Sequence, residues 1–123
     1  MQMLRNHVQL IGHAGKDVDV YQFDSGKKKA NITLATAHYY KNTQGEFITN
    51  TQWHNLVAWG ATAEAMEKSL KKGDQIIVKG SLNYRTYEDK SGATRTITEI
   101  LVNEFFRIKS ANAKESESLI SSN

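Results

Sequence analysis

The chain has 123 residues, a formal net charge of +3 and no cysteine. That length suits one domain with a single core, the lack of thiols rules out disulfides and thiolate metal centres, and no run approaches the roughly 18 apolar residues of a membrane span. The opening "MQMLRNHVQLIG" lacks the longer apolar segment of a secretory signal, so a soluble cytoplasmic protein is expected. One lysine and two glutamates fall in residues 110 to 123, so the positive excess, and any polyanion it attracts, belongs to the body of the chain.

In chain order, Val8 to Ile11 is a short apolar run closed by Gly12 and Gly15, and Val18 to Phe23 follows before the turn signal at Asp24 to Gly26. Both read as strands. Ala30 to Tyr40, "ANITLATAHYY", is a long β-branched and aromatic stretch, and Lys41 to Gly45 reads as the loop before a strand containing "QWHNLVAWG" at 52 to 60. From Ala61 to Lys72 the period changes: Ala63, Met66 and Leu70 recur at three and four, Glu64 and Lys68 are four apart, and Gly73 stands where a helix should stop. Gln75 to Tyr87 and Arg95 to Ile108 are then long strands joined as a hairpin by "EDKSG".

This order predicts an all-β domain over residues 1–109: an OB-fold, a five-stranded Greek-key barrel with one helix and a long protruding hairpin. Five strands result if the first two short runs form one bent strand or pair as a hairpin. The segments Val8 to Ile11 and Ile97 to Val102 are apolar enough to offer unpaired edges to other subunits. Residues 110–123, "SANAKESESLISSN", read as a short polar tail without fixed structure.

Parity along the strands separates core from candidate site. Trp53, Asn55, Val57 and Trp59 share one side of their strand, opposite Gln52, His54, Leu56 and Ala58. In Gln75 to Tyr87, the residues Ile76, Val78, Leu82 and Tyr84 form the face expected in the core, while Lys79, Ser81, Asn83, Arg85 and Tyr87 face out. Two indoles, Tyr87 and either Tyr39 or Tyr40 supply rings, and Lys72, Lys79 and Arg85 supply charge. Stacking rings interleaved with cations are what single-stranded nucleic acid requires of a receptor. A lone strand tryptophan is more often core packing, so a nucleic-acid binder and a binding barrel without defined ligand both remain open at this point.

Catalysis has less support. His7, His13, His38 and His54 show no metal-ligand spacing, and neither a G-x-S-x-G nor a phosphate-binding loop is present. No catalytic residue, metal or other cofactor is expected. A metal-assisted hydrolase built on the histidines is the remaining enzyme hypothesis, and a protein-interaction barrel without nucleic acid is the third class.

The stretches "LIGHAGKD", "ANITLAT", "TQWHNLVAWG", "LKKGDQIIVKGSL" and "YRTYEDKSGATRTITEILVNE" together resemble bacterial single-stranded DNA-binding proteins, in the family's order from about Asn6 to Glu104. The resemblance implies an OB-fold subunit of a homotetramer that binds single-stranded DNA without strong sequence preference, protecting it during replication, recombination and repair at the nucleoid. It assigns stacking to Tyr40, Trp53, Trp59 and Tyr87, places Lys72 and Arg85 at matching basic positions, and sets His54 at a subunit contact. A primosomal OB-fold protein is the nearest alternative.

Departures accompany the resemblance. His7, Tyr21, Asn55, Ala61 and Asn83 stand where family members commonly carry a basic residue. The family's acidic C-terminal tip with its terminal aromatic is not found in "ESESLISSN", so recruitment of replication and repair enzymes is not expected.

Overall fold

The computed structural model describes residues 5–111. In chain order it contains β1 (Val8–Ala14), β2 (Asp19–Gln22), β3 (Lys28–Lys41), β4 (Phe47–Trp59), α1 (Gly60–Ser69), β5 (Gln75–Glu88) and β6 (Thr94–Lys109). The polar tail expected from residue 110 lies outside the described residues except for Ser110 and Ala111.

The strands hydrogen-bond in the order β1-β5-β6-β4-β3-β2, and a further β1–β3 pairing closes the sheet on itself. Both β1 and β2 run antiparallel to β3, at Leu34 and Ala35 and at Lys28 to Asn31 respectively. They therefore act as one bent strand, which gives the five-stranded barrel. Its remaining seam is parallel, between Leu56–Val57 of β4 and Ile100–Leu101 of β6. An OB-fold has this strand order and this single helix between its third and fourth strands.

The two expected edges are partly taken. Ile97 to Val102 is paired along β5, and β4 occupies its other side at Ile100 and Leu101, leaving Ile97 to Glu99 paired on one side only. Val8 to Gly12 of β1 bonds to β5 on one side, while pairing with β3 starts only at His13.

Alternation puts Ile32 and Leu34 of β3, Leu56 and Ala58 of β4, Ile76 and Val78 of β5 and Ile100 and Val102 of β6 into one core. Ala63 and Met66 turn the apolar side of α1 onto it, so the helix plugs one end of the barrel. The helix ends at Ser69, earlier than Lys72, and Leu70 to Gly73 form a turn closed by Leu70 N–H to Met66 O and Gly73 N–H to Ala14 O. Asp74, fully buried, accepts from the amides of Lys71 (2.9 Å) and Ala111 (2.8 Å), which fastens the start of β5 to the segment following β6. A buried carboxylate is tolerated because its oxygens are satisfied in this way.

One parity expectation fails halfway along β5. Ile76 and Val78 are in the core, but Leu82 and Tyr84 are exposed. A register shift at Lys79/Gly80 marks the change, and a Cβ on Gly80 would overlap the backbone carbonyl of Leu101. The strands cross so tightly there that only glycine fits. Ile100, opposite Leu82, is the core residue nearest the hairpin tip, and from Asn83 and Glu99 outward β5 and β6 leave the barrel.

Candidate nucleic-acid interface

In an antiparallel pair, residues directly opposite each other project to the same face. β3 and β4 pair Trp59 with Lys29, Val57 with Asn31, Asn55 with Thr33 and Trp53 with Ala35. The indoles therefore stand on the outer face of the barrel, with Leu56 and Ala58 on the inner. Val57 shares the indole side yet is buried, because the base of the hairpin covers it.

That cover forms a cleft of about 270 Å³, lined by Asn31, Thr33, Asn55 and Val57 from the sheet, Arg85, Ile97 and Glu99 from the hairpin, and Lys16 and Asp19 beside the β1–β2 bend. Asn55 and Val57 are the residues that separate the two indoles along their pleat, so the cleft lies between Trp53 and Trp59. Arg85, distant in sequence, is brought to its wall.

The two indoles are held differently. Trp53 is 63% exposed and rests on the backbone of Gly15, where a Cβ would overlap its six-membered ring. Trp59 is 36% exposed. Phe23 stacks on it at 5.8 Å with a 22° interplanar angle, and Lys27 and Lys29 set their ammonium groups 4.8 and 5.4 Å from its ring centroid. Tyr21 meets Phe23 edge-on at 4.7 Å. Strand parity does not single out Phe23, Lys27 and Lys29; their signal in the sequence is "FDSGKKK", a turn rimmed by an aromatic and cations.

The other expected residues occupy varied positions. Tyr40 lies 44% exposed on the pleat opposite the indoles, with His38 stacked against it at 5.7 Å. Tyr39 and Phe47 share the indole face, with Lys41 over the Phe47 ring at 5.5 Å, so along β3 and β4 the exposed aromatics continue beyond Trp53. Tyr87 is exposed near the hairpin tip, opposite Arg95. The tip itself is organised by Asp89, which accepts from the Ser91 hydroxyl (2.6 Å), Arg95 Nε (2.9 Å) and the amides of Ser91 and Ala93. The Ser91 and Arg95 bonds above all hold its carboxyl down at about 2.

Among the expected cations, Arg85 is paired through Nε with Glu99 at 3.5 Å, a carboxylate only 5% exposed that also accepts from Asn83. Lys79 pairs with Glu104 at 3.8 Å on the β1–β5–β6 side and is not among the residues lining the cleft. Lys72 is exposed, and its amide donates to Asp17 Oδ1 at 2.9 Å, which places it beside the bend that borders the cleft. His54, half-buried on the inner pleat, shares a 2.9 Å hydrogen bond with the Thr36 hydroxyl. No cluster of three or more metal-ligating side chains occurs among the described residues.

Comparison with known proteins gives this geometry a family. The chain is 40% identical over 97 residues to "Single-stranded DNA-binding protein 1" of Chlorobaculum tepidum, a match covering 78% of this chain and 60% of that protein's length. Its fold superposes on the "Plasmodium falciparum SSB complex with ssDNA" with a TM-score of 0.72 at 30% identity, covering 82% of this chain and 90% of that one. The family model described as "Single-strand binding protein family" matches residues 5–108, and the chain belongs to that family.

Proposed function

We propose that this protein binds single-stranded DNA with little base specificity, through aromatic stacking and phosphate contacts, and shields it during replication, recombination and repair. The observation that carries the reading is the cleft between two outward-facing indoles with a guanidinium on its wall. Exposed indoles are costly on a free surface and useful where bases supply a π-face. Trp53 and Trp59 form the centre of the track with Arg85 and Lys72 beside it, and Tyr87 on the hairpin, Tyr40 on the opposite pleat and Lys79 on the β1–β5–β6 side are contacts for a strand that continues past the cleft. No bond is made or broken in this role. The names of both relatives support it.

A homotetramer is part of the same proposal. On the outer face of β1, β5 and β6, Ile11, Ile77 and Phe106 stand in one cross-strand row, with Ile11 and Phe106 exposed and Ile108 exposed nearby. Beside that row runs the edge of Val8 to Ile11, which has no β-ladder partner on its β3 side among the described residues. An apolar sheet face next to an unpaired edge suits symmetric association, and His54 is assigned to a second subunit contact.

Fluorescence anisotropy with labelled oligo-dT, competed by unlabelled dT and by a hairpin duplex of equal length, tests the binding. The single strand should compete and the duplex should not; equal competition defeats the reading. Sedimentation at neutral pH tests assembly, and a monomer contradicts the tetramer.

A further inference from the structure

We propose that the turn from Phe23 to Lys29 is an additional part of the DNA interface: Lys27 and Lys29 hold the phosphates of the nucleotide stacked on Trp59, and Phe23 positions that indole. The inference rests on the single-strand-binding reading and assigns residues that reading leaves out.

Trp59 ends β4, so support for its ring must come from the neighbouring strands. Lys29 stands directly opposite it on β3, and Tyr21 opposite Lys29 on β2, forming one row across three strands. The turn is fastened at both ends, with Phe23 N–H donating to Lys27 O at 2.8 Å and Gly26 N–H to Phe23 O at 2.8 Å. Phe23 and Lys27 are thereby fixed beside the indole instead of wandering at a loop tip.

Charge pairing separates these lysines from Lys16, Lys28, Lys79 and Arg85. Lys16, Lys79 and Arg85 each have a carboxylate within ion-pair distance. Lys28 faces the helix, 3.7 Å from Glu64 and 3.9 Å from Glu67. Lys27 and Lys29 have no carboxylate partner among the described residues and meet the Trp59 ring instead. A ring quadrupole is a weak partner for an ammonium, and a phosphate oxygen is a strong one. A base stacking on Trp59 displaces both ammonium groups from the ring and brings its phosphates to them, so stacking and charge neutralisation occur together.

The test uses the full chain and oligo-dT, measuring Kd across a salt series for Lys27→Gln, Lys28→Gln and Lys29→Gln. Removing the cation from one phosphate of a single strand flattens the slope of log K against log salt by about 0.7. Lys27→Gln and Lys29→Gln should each show that flattening, and Lys28→Gln, with the same charge change on the helix side, should keep the wild-type slope. Phe23→Ala should weaken binding and shift Trp59 emission in a Trp53→Phe background, with Phe23→Tyr restoring both. Equal flattening in all three lysine variants would reduce the effect to net charge and overturn the inference, as would wild-type slopes in Lys27→Gln and Lys29→Gln. A wild-type chain that binds no oligo-dT overturns the underlying reading as well, so the two failures are distinguishable.

Discussion

Gly15→Ala puts a methyl group under an indole. A Cβ at Gly15 would overlap Trp53 and come within 2.6 Å of Thr33 Oγ1. Both obstacles are side-chain atoms, and the 63% exposed indole can swing outward without forcing strands apart. A tryptophan of roughly 250 Å² that is 63% exposed keeps about 90 Å² covered, so losing the whole seat costs about 2 kcal/mol of folding stability at ~25 cal/mol/Å². A partial slide costs less, about 1 kcal/mol. Binding should suffer more, because an indole lifted off its seat no longer meets the base at stacking distance. Loss of one stacked base is worth about 1–3 kcal/mol, or about 5- to 150-fold in Kd. Gly80→Ala is the contrast: there the obstacle is the Leu101 carbonyl in the backbone, and overpacking should cost about 3 kcal/mol of stability. Urea melts and oligo-dT titrations of both variants provide the assay. A Gly15→Ala chain that binds like wild type would refute the seat, and one that melts as early as Gly80→Ala would make Trp53 a packing residue.

Trp53→Ala and Trp59→Ala should each weaken oligo-dT binding by about 1–3 kcal/mol, and calorimetric melting should show the larger stability loss for Trp59, whose ring is packed by Phe23. Arg85→Ala leaves the buried Glu99 with Asn83 as its hydrogen-bond partner and no guanidinium beside it, so stability should fall by about 1 kcal/mol, with Glu99→Gln restoring most of it in urea melts. If the guanidinium also meets one phosphate, the salt slope of the Arg85 variant becomes shallower by about 0.7. For Asp89 the folded carboxyl is held below its ordinary value, so its contribution to the hairpin turn is complete above about pH 4 and is lost as pH falls through about 2. The Ala93 amide resonance should titrate over that window and stop doing so in Asp89→Asn.

The sequence is legible wherever one strand face meets a continuous core. Alternation groups Ile76 with Val78 and separates Leu56 and Ala58 from Trp53 and Trp59 because burial enforces it, while the resemblance is what assigns the indole side to the outside. Leu82 and Tyr84 break the pattern because alternation cannot tell where a strand leaves the barrel; Gly80 is the visible marker, and its meaning depends on the close approach of Leu101. Carboxylate partners are equally hidden. Glu99 meets Arg85 and Glu104 meets Lys79 through a hairpin register containing a shift at Lys79/Gly80, which spacing along one strand does not reveal. Phe23, Lys27 and Lys29 escape sequence patterning for a related reason, since their neighbour Trp59 is some thirty positions away and reaches them only through the β2–β3–β4 pairing.

The central claim, that both indoles are platforms for unpaired bases, is tested most directly by the indole Nε1–H resonances of the ¹⁵N-labelled protein. The chain has two tryptophans, so two signals report on the two platforms and nothing else. Addition of oligo-dT should move or broaden both, and a hairpin duplex of equal length should move neither. Signals that stay in place with saturating oligo-dT, or that respond equally to the duplex, would contradict the account.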